Sequence, residues 1–216
     1  MTPTVVRRCL TGLVPGLLVA ALGCGLGDYE EKMTEQQQRA DIIDKENKVL
    51  AEGALEMPKV SGGVQPDVFL RPPKGINLRP EERRYRDRFY QYSKKGSSEF
   101  SNVYLGWAGK DKPEDFRNRV LSTFSAKGTS EPTTTNPWGR DGVILDTVKG
   151  EDSSSSRIFY IYLYPKPEAK VALIYEMPKP DKKSEALQAS LNTLALDKDA
   201  AAQFKEFNKR RRPTRK

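Results

Sequence analysis

The sequence contains no histidine and only two cysteines, Cys9 and Cys24, in 216 residues. Without histidine, Ser-His-acid and Cys-His triads and histidine-ligated metals are excluded. Any hydrolytic or acid–base chemistry would rest on Asp, Glu, Lys, Tyr or Ser alone. If residues 1–23 are removed, at most Cys24 remains, and an intramolecular disulfide is excluded as well. The glycine-containing stretches GGV, GWAG and KKGSS lack the strand–glycine-loop–helix setting and the GKS/T ending of a phosphate loop. No acidic pair stands at a spacing that implies catalysis: Glu114 and Asp115 read as helix-start charge, and Asp141 and Asp146 have nothing nearby to complete a metal set. These absences predict a protein that is not an enzyme and takes no metal or other cofactor.

Hydrophobic residues make up 37% and charged residues 31%, a polar balance that still allows one ordinary domain with flanking segments. The net charge is +8. Arg7 and Arg8 account for part of it, and the C-terminal KEFNKRRRPTRK accounts for the rest, so the charges between them cancel. A neutral body argues against nucleic acid as a partner.

The most informative segment is RRCLTGLVPGLLVAALGCGLGDYEE, residues 7–31. Two arginines, an apolar run over residues 10–22, small residues and an abrupt return to charge form the pattern of an export signal. Val19-Ala20-Ala21 also satisfies small-x-small, so cleavage after Ala21 is open. The uncharged run of 19 residues from Cys9 to Gly27 sits at the lower edge of a spanning helix, although Pro15 and several glycines interrupt it. Ala21-Leu22-Gly23-Cys24 resembles the lipobox of bacterial lipoproteins. Gly23 and Cys24 match it; the family usually has Leu or Val where Ala21 stands and a small residue where Leu22 stands. The resemblance implies that residues 1–23 are removed and that Cys24 becomes an acylated N-terminus carrying chains such as palmitate. Membrane lipid would then be a partner through Cys24, and the protein would be anchored in the cell envelope with its domain on the periplasmic or outer side.

Residues 24–57 read as a helical stalk. Tyr29, Met33, Gln36, Ala40, Ile43, Asn47 and Leu50 follow heptad spacing, a weak coiled-coil stripe that leaves self-association and oligomeric state open. Gly53 and Pro58 mark its end. Residues 58–80 carry five prolines and three glycines, which forbid a long helix or a central strand. Val68, Phe69, Leu70, Ile76 and Leu78 nevertheless predict an extended strap docked on this domain or another protein.

Residues 81–198 predict an α+β domain: a small, mainly antiparallel sheet of four or five strands with two packed helices on one face. RFYQY, NVYLGWA, VILDTV, RIFYIYLY and KVALIYEM read as strands, with PKPE turning between the last two. A first helix follows DKPED, with Asp111 as its cap and Phe116, Val120, Leu121 and Phe124 on one face. SEALQASLNTLAL supplies the second, with Leu187, Leu191 and Leu194 on a stripe. Residues 129–142 read as a loop.

Candidate binding residues are few. Trp138 reads as a plug at the core edge or an exposed aromatic anchor. Tyr160, Tyr162, Tyr164 and Tyr175 could line a ligand face, or simply reflect half-buried strands. Arg210, Arg211 and Arg212 lie in a basic tail, residues 199–216, read as disordered or as contacting phospholipid headgroups, an anionic envelope polymer or an envelope protein. The expectation is a non-enzymatic envelope lipoprotein that binds or assembles. An exported soluble carrier or hydrolase, and an uncleaved single-span protein that oligomerises through its stalk, are the alternatives.

Overall fold

The computed structural model describes residues 15–58, 65–81, 89–127, 129–137, 141–152, 154, 156–164, 170–179 and 184–211, with side chains between 28 and 209. The leader before residue 15, the PKPE turn, Gly128, Trp138 and residues 212–216 lie outside it. The chain divides between Asp44 and Lys45 into two compact units.

The first unit is helical. Helix α1 (Pro15–Val49) begins in the apolar leader and runs through the Glu-, Gln- and Lys-rich stretch, whose unbranched side chains favour helix. Tyr29, Met33, Gln36 and Ala40 of the heptad stripe are exposed. Thr34 donates back to the Glu30 carbonyl. The helix ends at Val49, short of the expected boundary, because Leu50 and Leu55 are core residues of the second unit.

The second unit is α+β, as composition and periodicity predict. Its elements are β1 (Val68–Phe69), β2 (Phe89–Ser93), β3 (Asn102–Trp107), α2 (Pro113–Thr123), β4 (Glu131–Thr134), β5 (Ile144–Asp152), β6 (Arg157–Tyr164), β7 (Val171–Pro178), α3 (Glu185–Asn192), β8 (Ala195–Leu196) and α4 (Asp197–Arg211). Six strands form an antiparallel sheet in the order β2-β3-β7-β6-β5-β4, and β1 pairs with β8 in a two-stranded ladder. The sixth strand, β4, falls in the segment read as loop. Its EPTT carries little strand signal, and its place comes from pairing along β5.

The helices do not share a face, contrary to expectation. Every residue of β7 from Val171 to Met177 is buried, so both sides of the sheet need a cover. Phe116 and Val120 of α2 lie over Ala172, Ile174, Phe159, Ile161 and Leu163. On the opposite face, Leu187 and Leu191 of α3 join Leu55 and the strap residues Val68, Leu70 and Ile76 over Tyr162, Leu173 and Tyr175. Phe124, just past α2, sits between Phe89, Tyr104 and Phe159 at centroid distances of 5.1–5.4 Å. Gly150 makes that approach feasible, since a Cβ there would meet the Phe124 carbonyl at 2.4 Å.

Two local expectations are corrected. Asp111 does not cap α2. Lys112 is the capping position, with Pro113 opening the helix, and the Asp111 carboxylate accepts from Arg119 instead. The C-terminal segment is not a disordered tail over residues 199–211; it is α4, whose Phe204 and Phe207 pack edge-on against Phe69 beside Ala195 and Ala200.

The strap is docked on its own domain. Backbone bonds tie it to the segment after α1: Ala51 donates to Pro72, Leu55 to Leu70, Glu56 to Leu78, and Lys74 to Val49. Its far end runs along the outer edge of β2, where Asn77 and Glu81 donate to the carbonyls of Ser93 and Gln91.

Candidate functional site

Of the candidate residues named from sequence, the four tyrosines come together in one core cluster. Tyr162 and Tyr175 are core residues whose rings meet edge to face at 6.0 Å, and Tyr175 shares a hydrogen bond with the Ser190 hydroxyl of α3. Tyr160 and Tyr164 are half-buried against the same core. The tyrosine face is therefore packed by strap and helix. On β2, the hydroxyls of Tyr90 and Tyr92 donate to the carbonyls of Pro58 and Glu56, each at 3.1 Å. Cys24, Ala21, Leu22 and Gly23 lie within the backbone of α1, and Arg210 and Arg211 at the end of α4; their side chains, Trp138 and Arg212 are outside the described part.

Burial pushes the phenols of Tyr92, Tyr162 and Tyr175 well above their ordinary value of 10.0. A raised folded-state value means that the stabilisation is complete below pH 10.0 and shrinks as pH rises through and beyond it. We expect these three phenols to ionise only on unfolding. Tyrosinate absorbance and near-UV circular dichroism should change together above pH 10.0; full phenol ionisation while the near-UV signal persists would refute this.

Two polar constellations were not singled out in the sequence. The first centres on Arg71, which is only 5% exposed in the middle of the apolar strap. Its guanidinium donates to the Ala51 carbonyl through Nε (3.2 Å) and Nη2 (3.0 Å), to Asn47 Oδ1 (2.8 Å) and to Glu46 Oε2 (3.3 Å). Its planar face lies 5.4 Å from the Phe207 ring of α4. Its backbone is held too, donating to Thr193 Oγ1 and accepting from Ser190 Oγ. One side chain thus clamps the last turn of α1 to the strap and α4. The planar fork of arginine suits this many acceptors, where a lysine ammonium would not.

The second centres on Glu176 of β7, 1% exposed. Its Oε2 accepts from the Tyr104 hydroxyl (2.5 Å) and Asn102 Nδ2 (2.8 Å), and its Oε1 from Arg157 (3.1 Å). Gln91 extends the network by donating to Asn102 Oδ1 and Ser93 Oγ. Buried charge is tolerated when hydrogen-bonded in this way. Both carboxylate oxygens are engaged, and half-exposed Arg157 stands at the solvent side, so the arrangement staples β2, β3, β6 and β7 together on the α2 face. A carboxylate at core parity inside KVALIYEM was the available signal.

Among the described residues, no group of three or more His, Cys, Asp or Glu could hold a metal ion, and no helix is long and apolar enough to cross a membrane. Neither a family model nor a curated protein matches the chain.

Proposed function

We propose that this chain is a membrane-anchored cell-envelope lipoprotein whose folded domain is a non-enzymatic binding or assembly module. The observation that carries the reading is Gly23-Cys24 at the end of an apolar run that follows Arg7-Arg8 and precedes a charged helix. Acyl chains on Cys24 would contribute about 0.8 kcal/mol per buried methylene, so two or more hold firmly. Residues 24–49 of α1 would act as a tether between the acylated terminus and the domain. The Arg71 clamp supports this reading, because a tether transmits position only if its far end is fastened to the domain. The fully engaged carboxylate of Glu176 supports a structural role over catalysis.

Intact mass of the protein from membrane fractions, beside a Cys24→Ala variant, tests the anchor. The expected wild-type species has lost residues 1–23 and gained lipid mass, and the variant shows neither change. A lipid-free species starting at Leu22, or a full-length chain indifferent to the substitution, would sink the proposal.

A further inference from the structure

Although the body of the chain is electrically neutral in sum, the folded second unit gathers exposed lysines where α1 enters it. Lys48 lies in the last turn of α1. Lys74 is held there by its backbone bond to the Val49 carbonyl, and the backbone of Lys95 bonds to neighbouring Gly75, which brings Lys94 and Lys95 to the same place. The C-terminal half of α4 arrives from the other side. Phe207 stacks on Arg71, and the Arg71 guanidinium binds Asn47 and Ala51. On α4 the apolar residues Ala200, Phe204 and Phe207 face the domain, which leaves Lys205 and Lys209 exposed on the opposite side. Of the carboxylates close in sequence to these lysines, Glu46 is bound by Arg71, and Asp44, Glu52 and Glu206 offset only part of the charge of the six lysines.

We propose that this lysine-rich pole, Lys48, Lys74, Lys94, Lys95, Lys205 and Lys209, docks on the anionic phospholipid headgroups of the membrane to which the chain is tethered. The inference rests on the anchored reading of the protein. Its reason is charge complementarity: basic side chains are drawn to an anionic bilayer surface. Tethering raises their effective concentration at that surface without any new contact.

The test is an amine footprint of the full chain reconstituted on vesicles. One set contains phosphatidylcholine alone and the other about 30% phosphatidylglycerol, enough for a strongly negative surface. Lys74, Lys94, Lys95 and Lys209 are expected to acetylate about fivefold more slowly on the anionic vesicles. The difference should vanish in about 0.5 M salt, where screening acts within roughly 4 Å. Lys110 and Lys112, beyond the opposite end of β3, should label equally on both. Equal labelling of the pole on the two membranes overturns the proposal. So does protection by soluble polyglutamate, on neutral vesicles, that matches protection by the anionic membrane, since that would assign the pole to an acidic polymer. The intact mass of the same sample reads the anchor separately. A lipid-free chain with headgroup-dependent protection refutes acylation and keeps the pole, and an acylated chain without protection does the reverse.

Discussion

Replacing Arg71 by alanine is expected to destabilise the second unit by about 3–5 kcal/mol, as removal of one partner from a buried ionic network does. For a unit of this size that corresponds to a fall in Tm of roughly 10 °C. The loss has identifiable parts. The Ala51 carbonyl loses two donors, Asn47 loses one, and Glu46 is left with a carboxylate only 22% exposed. Phe207 loses the cation above its ring. Arg71→Lys should recover less than half of the loss, because an ammonium cannot reach carbonyl, amide and carboxylate from one plane. Hydrogen exchange locates the effect: amides of residues 46–57 and of α4 should open before those of β6 and β7. A loss under about 1 kcal/mol, or full rescue by lysine, would show that the clamp is ornamental to folding.

The second large effect is expected at Glu176. Glu176→Leu should cost about 3 kcal/mol in denaturant unfolding, because the buried Tyr104 hydroxyl and the Asn102 amide both lose the carboxylate they donate to. Arg157 contributes little of this, since half of its side chain is exposed and can rehydrate. Combining Glu176→Leu with Tyr104→Phe removes both sides of the unsatisfied contact, and the double variant is expected to regain at least 1 kcal/mol over the single one. A double variant no more stable than Glu176→Leu alone would mean that packing around β7, not hydrogen bonding, sets the cost.

The contrast between legible and hidden features follows from how far apart the interacting residues lie. RIFYIYLY and KVALIYEM alternate apolar residues on both faces, so β6 and β7 could be placed as central strands from local pattern alone. The buried faces of α2 and α3 were equally plain in Phe116, Val120, Leu187 and Leu191. Which side of the sheet each helix takes is set by long-range packing, and no periodicity encodes it. α4 was obscured by its own charge: Ala200, Phe204 and Phe207 form a proper helical stripe, but the run of arginines after them dominated the reading. Glu176 and Arg71 were hidden for a different reason. Tyr104 and Asn102 are 72 and 74 residues from Glu176, and Asn47 and Glu46 are 24 and 25 from Arg71. A polar residue among apolar neighbours can be seen in a sequence, but its partners cannot.

The two margins of the sheet carry one more consequence. Exposed strand edges are templates for pairing with other chains. At one margin the strap occupies the hydrogen-bonding side of β2. At the other, β4 is only four residues long, with Glu131 and a proline, Pro132, which has no amide hydrogen to offer. Neighbouring copies confined to one plane at high local density would therefore meet without a long open ladder between them. Such a chain can be crowded without polymerising edge to edge, and this protection is built from the strap and the short strand β4.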